Sequence, residues 1–296
     1  MKMHSTKQSL GAALAGERRQ GRTIGLVPTM GALHEGHVSL MRRARGENDV
    51  VVASIFVNPL QFAPTDDLAR YPRNLEADAA LAAETGVDHL FAPEVAEMYP
   101  HGSIATRVDV GPIGDIGEGA WRPGFFAGVA TVCCKLFHIV APDRAYFGQK
   151  DAQQLAVIRQ LVADLDLPLE IVGCPTVREP DGLALSSRNT YLDPEARRAA
   201  PALAAALMAA RDAAASGEES AEELRWIVKT CLEAEPGISL QYVVLFDADS
   251  FSARERLDGR GILAAAAYVG GTRLIDNVDV ALAALPAELR MKVGGR

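Results

Sequence analysis

Short apolar segments alternate with amphipathic segments along residues 1–175 of the chain. The apolar runs, bounded by polar and turn residues, predict five β-strands: Thr23–Val27, Asp49–Val57, Val87–Phe91, Arg144–Phe147 and Leu169–Cys174. Apolar residues three and four apart predict intervening helices: one beginning near Gly36, then Asn74–Glu84, Val129–Val140, and Ala152–Val162 behind Asp151 as a candidate N-cap. This alternation predicts an α/β fold, a parallel sheet with helices on both faces, in which ligands bind beyond the carboxyl ends of the strands.

The pattern changes after about Val177. Residues 194–235 are rich in Ala and Glu and predict two helices that are separated at SGEES. The segments SLQYVVLFDA, GILAAAAYVG and TRLIDNV then predict strands. We therefore expect two domains: residues 1–176, and a smaller α+β domain of residues 177–296.

Composition narrows the classes of function. The chain has 296 residues, 49% hydrophobic and 23% charged, which is typical of a globular protein. The net charge of −8 argues against a nucleic-acid partner, because phosphate backbones are held by clustered Lys and Arg, but it permits a small phosphate ligand. Charged residues 17–19 interrupt any signal-peptide core, and the apolar runs are shorter than the ~18 residues of a membrane span. With four cysteines and no C-x-x-C pair, we expect a cytoplasmic protein with no membrane partner.

The segment GLVPTMGALHEGH joins the first strand to the first predicted helix. Gly31 and Gly36 allow a ligand to approach the backbone closely, and the helix N-terminus favours anions. His34 and His37 are three residues apart, so they share one face of the helix and supply two donors. The segment therefore favours phosphate binding over a simple helix cap. A zinc site is disfavoured, because this spacing is not that of H-E-x-x-H.

Two further segments follow strands. In FVNPLQF, the amides of Asn58 and Gln61 can fix a small polar substrate, although an ordinary polar loop is the commoner explanation for such residues. In AYFGQKDAQQ, Lys150 can neutralise a phosphate, and Asp151 can cap the helix or accept from ribose hydroxyls. A lysine before a helix N-terminus opposes the helix dipole unless an anion lies nearby.

The segment LALSSRNTYL lies where the two predicted domains join. Ser186, Ser187 and Arg188 form a compact set of phosphate-binding groups. A flexible Ser-rich linker explains the same residues equally well.

Together these segments resemble the pantoate–β-alanine ligase family of the nucleotidyltransferase superfamily, whose HIGH-type signature is HEGH in this chain. The matching stretches are VPTMGALHEGH, FVNPLQF, FGQKDAQQ, LSSRN and RLIDN, spread over residues 25–277. The resemblance implies a Rossmann-like first domain that binds ATP and pantoate, with the smaller C-terminal domain as a lid. It also implies condensation of pantoate with β-alanine through a pantoyl-adenylate, with release of AMP and diphosphate, Mg²⁺ held by the phosphates, and a homodimer.

The resemblance also assigns residues. His37 is expected to be a proton donor, and His34, His37, Lys150 and Arg188 to be the catalytic groups. ATP is expected to contact a larger set: Met30, Gly31, Ala32, Leu33, His34, Glu35, Gly36, His37, Gly148, Gln149, Lys150, Asp151, Val177, Leu185, Ser186, Ser187 and Arg188. Pantoate and β-alanine are expected to contact another: Gln61, Gln154, Pro28, Met30, Asn58 and Phe147.

Two other functions use the same phosphate-binding segments. A nucleotidyltransferase of the superfamily would keep the nucleotide in its product, and a nucleotide sensor would bind ATP without turnover. The sensor gives no reason for the pair Gln61 and Gln154.

Overall fold

The computed structural model of the chain describes residues 1–62, 68, 71–102 and 105–282. The chain forms two compact units that divide between Thr190 and Tyr191. Residues 177–190 therefore lie in the first unit, and the expected boundary at residue 176 stays a prediction. Residues 283–296 of the expected second domain lie outside the described residues.

The first unit contains a six-stranded parallel sheet in the order β1-β4-β3-β2-β5-β6. Its strands are β1 (Lys2–His4), β2 (Ile24–Thr29), β3 (Val50–Ile55), β4 (His89–Phe91), β5 (Arg144–Gly148) and β6 (Glu170–Cys174). The α/β fold and the five predicted strands are confirmed as β2 to β6. The prediction extended the third strand too far, because Asn58 already begins a 3-10 turn over Pro59–Gln61.

Helices cover both faces of this sheet. The helices of the first unit are α1 (Lys7–Arg19), α2 (Glu35–Glu47), α3 (Leu75–Glu84), α4 (Val95–Met98), α5 (Glu118–Trp121), α6 (Phe125–Val140) and α7 (Ala152–Asp164). Along β2, alternate side chains point to opposite faces. Leu26 packs in a cluster with residues of α1, α6 and α7, whereas Val27 packs with residues of α2 and α3. The sheet is therefore the middle layer of three.

Two N-terminal elements were not predicted. Strand β1 has three residues, too few to show a period, and pairs with β4 at the edge of the sheet. Helix α1 follows Thr6, whose side chain accepts a hydrogen bond from the Ser9 N–H as an N-cap. It buries Leu10 and Leu14 against the sheet, so its apolar stripe is narrow.

The sheet has a switch point between β2 and β5, because the chain runs from β2 outward to β3 and β4 and then returns to the other side of β2. The two strands pair only at Gly25–Arg144 and Leu26–Ala145, although each continues towards its carboxyl end. They therefore part before they end. In sheets of this type, the crevice at such a point is where ligands bind.

The second unit is a small α+β unit. It comprises α8 (Pro194–Ala199), α9 (Pro201–Ala215), α10 (Ala221–Glu233), β7 (Ile238–Asp247), β8 (Arg260–Val269) and β9 (Thr272–Ala281). The strands form an antiparallel sheet in the order β7-β8-β9, on which α9 and α10 pack. The predicted three strands are present. The separation at SGEES is confirmed between α9 and α10, but the first predicted helix is two helices, because Pro201 starts α9 directly after α8.

Within the residues that the structure describes, no helix is both long and apolar enough to cross a bilayer.

Candidate active site

The turn that leaves β2 is held by side chains of the protein itself. Gly31 and Ala32 both have positive φ, +85° and +51°. The N–H of Gly31 donates to the Thr29 hydroxyl at 3.1 Å, and those of Ala32 and Leu33 donate to the two carboxylate oxygens of Asp78 at 2.9 and 2.8 Å. A side chain at Gly31 would lie 2.8 Å from Asp78, so glycine is needed there as well for space. These three amides are therefore engaged within the protein, which leaves the imidazoles as candidate donors of the turn.

His34 and His37 cap helix α2 reciprocally. The N–H of Gly36 donates to Nδ1 of His34 at 3.1 Å, and the N–H of His34 donates to Nδ1 of His37 at 3.3 Å. Because each Nδ1 accepts a hydrogen bond, each neutral ring carries its proton on Nε2. The ring centroids are 4.2 Å apart. Gly36 is required beneath them, since a Cβ there would lie 2.8 Å from the His34 ring.

Both imidazoles are neutral near pH 7. Burial lowers the pKa of His34 to about 4 and that of His37 to about 3. These pKa values include the repulsion of Lys150 on both rings and of His34 on His37, and the opposing attraction of Asp151 at His34. The pair therefore offers two Nε2–H donors next to a lysine, rather than two cations. An anion bound there would raise both pKa values, because it favours the protonated ring.

The end of β5 supplies the lysine. Gly148 is followed by a 3-10 turn over Gln149–Asp151, which leads into α7. Asp151 stands at the N-cap position of α7, but its side chain makes no capping hydrogen bond, so the expected cap is not formed. Its carboxylate instead lies 3.9 Å from Nζ of Lys150 and is close to half exposed. The other expected role of Asp151, accepting from ribose hydroxyls, stays a prediction.

The Asn58–Gln61 segment is buried, unlike an ordinary polar loop. Asn58 is 1% exposed and Gln61 8% exposed. Nε2 of Gln61 lies 3.1 Å from the sulfur of Met30, so this glutamine reaches the turn after β2. Phe147, at the end of β5, is also buried and packs edge-on against Phe137.

The two adjacent glutamines of α7 have different environments. Gln153 is buried and binds the backbone of residues 113, 116 and 118 through both ends of its amide. Gln154 is half-buried in the first turn of the helix. The structural role thus falls to Gln153, and Gln154 keeps its expected role as a prediction.

The residues before the Ser-rich segment form a hairpin of the first unit, so the segment is not a flexible linker. Arg178 and Ala184 form a β-bridge, and the N–H of Leu185 donates to the carbonyl of Val177 at 3.0 Å. A Cβ at Gly36 would lie 3.9 Å from Cβ of Leu185, so the hairpin lies beside the H-x-G-H turn. The hairpin therefore holds Val177 next to Leu185, beside the H-x-G-H turn.

Ser186, Ser187 and Arg188 continue directly from that hairpin. The N–H of Arg188 donates to the Ser186 hydroxyl at 3.2 Å, and Asn189 ties the segment back to the carbonyl of Ala184 at 3.1 Å. All three side chains are half-buried. The segment is thus fixed next to the turn after β2.

Sequence reasoning missed two buried polar residues that hold the site. Asp78 is 6% exposed, and it shares the buried face of α3 with Ala82, one turn later. An acidic residue on the apolar face of a predicted helix is the signal that could have identified it. Tyr99 is 5% exposed and donates to the Asn58 side chain, and its position in a short irregular segment gave no comparable signal.

A doubly wound parallel sheet with an H-x-G-H turn, a lysine and a Ser-Ser-Arg segment grouped at its switch point defines a nucleotide-binding α/β enzyme. A family model described as pantoate–β-alanine ligase matches residues 2–279. The chain belongs to the pantoate–β-alanine ligase family.

Relatives and solved structures agree with this assignment. The chain is 57% identical over 255 residues to a pantothenate synthetase of Roseiflexus sp. strain RS-1, which covers 86% of this chain and 91% of the relative. Its fold matches a pantothenate synthetase from Thermus thermophilus with a TM-score of 0.88, at 50% identity, over 94% of this chain and 99% of that one. A pantoate–β-alanine ligase from Francisella tularensis, complexed with β,γ ATP and β-alanine, matches with a TM-score of 0.77 at 37% identity, over 94% and 97% of the two chains.

Proposed function

We propose that this chain condenses pantoate with β-alanine at the expense of ATP, through a pantoyl-adenylate, releasing AMP and diphosphate. The observation that carries the proposal is the pair of neutral, Nδ1-anchored imidazoles beside Lys150 at the switch point of the sheet. A ligase that adenylates a carboxylate must bring two anions together. Hydrogen-bond donors and cations at fixed positions are what such a step requires.

The first half-reaction is attack of the pantoate carboxylate on the α-phosphorus of ATP. His34 and His37 would donate Nε2–H to phosphate oxygens, and Lys150 and Arg188 would supply positive charge as diphosphate leaves. Because its low pKa leaves the ring neutral, His37 contributes in the free protein as a hydrogen-bond donor. Bound triphosphate would raise that pKa and so make protonation of the ring easier.

The nucleoside would lie along the hairpin and the end of β5. Val177 can bind adenine through its backbone, and Asp151, free of a capping bond, can accept from ribose hydroxyls. Ser186 and Ser187 would hold the β- and γ-phosphates together with Arg188. The hydrogen bond between Leu185 and Val177 would hold the proposed adenine and phosphate sites at a fixed separation.

Pantoate would lie between Gln61 and Gln154, with the apolar side chains of Pro28, Met30 and Phe147 against its two methyl groups. In the second half-reaction, the neutral amine of β-alanine attacks the acyl carbon and AMP leaves. The acyl-adenylate hydrolyses in water, so the site must exclude water between the two steps. Closure of the second domain as a lid stays a prediction.

Magnesium fits this site as a companion of the phosphates. Mg²⁺ keeps several waters and commonly needs only one or two carboxylates. Among the described residues, no group of three or more His, Cys, Asp or Glu is placed to hold a metal ion, and both Asp78 oxygens already accept N–H groups. The donor set therefore suits an ion that arrives on ATP, where it would neutralise phosphate charge.

The test of the proposed function is AMP release from ATP in four mixtures: both substrates, each alone, and neither. Rapid release should require both pantoate and β-alanine, and hydroxylamine added with pantoate alone should yield pantoyl hydroxamate. ATP consumption indifferent to pantoate would reject the proposal. A homodimer is also proposed, and sedimentation of the purified chain as a monomer would reject that part alone.

A further inference from the structure

A buried chain of hydrogen bonds connects Tyr99 to Gln61. The Tyr99 hydroxyl donates to Oδ1 of Asn58 at 2.8 Å, and Nδ2 of Asn58 donates to Oε1 of Gln61 at 3.0 Å. Tyr99 is 5% exposed, Asn58 1% and Gln61 8%. Buried polar groups of this kind are costly unless each has its partner, so their orientations are strongly determined.

The backbone partners of Asn58 identify which way its amide points. Its Nδ2 also donates to the carbonyl of Gly128 at 3.1 Å, and its Oδ1 also accepts from the N–H of Leu60 at 3.3 Å. A carbonyl can only accept and a backbone N–H can only donate. Oδ1 must therefore face Tyr99, and Nδ2 must face Gln61. Tyr99 is consequently the donor, and Gln61 receives a hydrogen bond on its oxygen.

The orientation of Gln61 follows from this arrangement. Its Oε1 is engaged by Asn58, and its Nε2 points towards the sulfur of Met30, a weak acceptor, at 3.1 Å. The group that Gln61 can offer to a ligand is thus an N–H donor, which suits a carboxylate or hydroxyl oxygen. With the amide reversed, the same residue would present an acceptor and repel a carboxylate.

Of the two hydrogen bonds to Oδ1 of Asn58, the one from Tyr99 is the shorter, and the Tyr99 ring is itself packed in place. Its ring packs 5.9 Å from that of Phe56, and Nζ of Lys135 lies 5.6 Å from its centroid. Burial raises the pKa of the Tyr99 phenol, so the hydroxyl keeps its proton near neutral pH.

We propose that Tyr99 is a positioning residue for pantoate: through Asn58 it holds the Gln61 amide with its N–H directed to a substrate oxygen. This inference rests on the proposed function. Tyr99 contacts neither ATP nor the reacting atoms in this scheme, so its removal should affect one substrate and leave the other unchanged.

The test is Tyr99→Phe, which removes only the hydroxyl and keeps the ring against Phe56. KM for pantoate should rise about tenfold, the effect of about one buried hydrogen bond. KM for ATP should stay within about twofold. In a Gln61→Ala background, Tyr99→Phe should change KM for pantoate by less than about twofold, because it acts through that glutamine.

The matched control is Tyr146→Phe. Tyr146 is also fully buried, and its hydroxyl is bonded to Asn48 and Glu47, at the end of α2 remote from the H-x-G-H turn. It should leave both KM values unchanged. Three results would overturn the inference: an unchanged pantoate KM in Tyr99→Phe, a tenfold effect that persists without Gln61, or parallel losses for ATP and pantoate with a lowered melting temperature. A wild-type chain without pantoate-dependent AMP release would reject the proposed function itself, and the inference with it.

Discussion

Replacing Asp78 with asparagine tests whether the turn after β2 must be held in place from outside. The carboxylate accepts one N–H from Ala32 and one from Leu33. Asparagine has nearly the same shape, but one of its two oxygens is replaced by an NH₂ group. One backbone N–H would then face a donor, in a residue that is only 6% exposed.

The magnitude follows from the hydrogen bonds that are lost. A hydrogen bond to a charged group contributes about 1.5–3 kcal/mol, and an unsatisfied buried donor costs about 1–3 kcal/mol. We therefore expect Asp78→Asn to lower the free energy of unfolding by about 2–4 kcal/mol. The turn carries Ala32 at φ +51°, which only fixed surroundings maintain. Its relaxation should displace the imidazoles, and a shift of about 1 Å costs about 100-fold in rate.

A second effect of Asp78→Asn, on charge, acts in the opposite direction, so the sign of the change in kcat/KM for ATP shows which effect is larger. Removing a negative charge near the proposed phosphate site should favour ATP, by an amount that salt and Mg²⁺ on the phosphates reduce. Positioning outweighs this, so we expect kcat/KM for ATP to fall at least about tenfold in Asp78→Asn.

The assay is steady-state AMP release over a range of ATP concentrations, with urea unfolding on the same samples. Asp143→Asn is the control, since its carboxylate accepts the N–H of Ile24 at 2.7 Å at the opposite end of β2. It should leave kcat/KM for ATP unchanged. An unchanged or increased kcat/KM for ATP in Asp78→Asn would refute the positioning argument.

Three further predictions concern the two histidines and Gln154. His37→Ala should raise the barrier to adenylate formation by about 3 kcal/mol, which slows that step roughly 100-fold or more. The lost helix cap should lower the free energy of unfolding by only about 1 kcal/mol. Single-turnover rates and melting curves measure the two effects, and turnover at the wild-type rate would exclude the role. Gln154→Ala should weaken pantoate more than ATP in calorimetric titrations, whereas the opposite order would reject its placement. The pKa values of His34 and His37 in the folded chain, about 4 and 3, lie below the ordinary 6.5, so on acidification the unfolded chain binds protons first. The contribution of the two histidines to stability is therefore complete above pH 6.5 and is lost as the pH falls towards 3. Urea unfolding at pH 7 and pH 5 should show His37→Ala losing less stability on acidification than the wild type, and equal losses would contradict the shifted pKa.

The sheet and its helices were predictable where a period repeats. Helix α6 places apolar residues at regular spacing from Phe126 to Val140, and β3 is an apolar run interrupted only by Ser54. The separate helix at Pro201 was missed because an alanine-rich sequence continues on both sides of the break. Strand β1 is stabilised by pairing with β4 rather than by any pattern of its own.

The site was predictable only in part, for a physical reason. Residues that are expected to touch a ligand, such as His34 and Lys150, lie in the turns that follow strands, where a polar or charged side chain is recognisable from the sequence. Residues that hold those groups act across long separations in sequence: Asp78 contacts the turn from 46 residues away, and Tyr99 contacts Asn58 from 41 residues away. Such contacts leave no local signal. The engaged state of the Gly31–Leu33 amides is likewise a tertiary effect, which made the imidazoles rather than the loop amides the principal donors.

The central claim is that the turn after β2 receives the triphosphate of ATP through Nε2 of both histidines. A crystal structure of the chain with a non-hydrolysable ATP analogue tests it most directly. We expect phosphate oxygens within hydrogen-bonding distance of Nε2 of His34 and Nε2 of His37, with each Nδ1 still bonded to the backbone as in the free protein. A triphosphate bound elsewhere, with both rings left without a phosphate contact, would contradict the account.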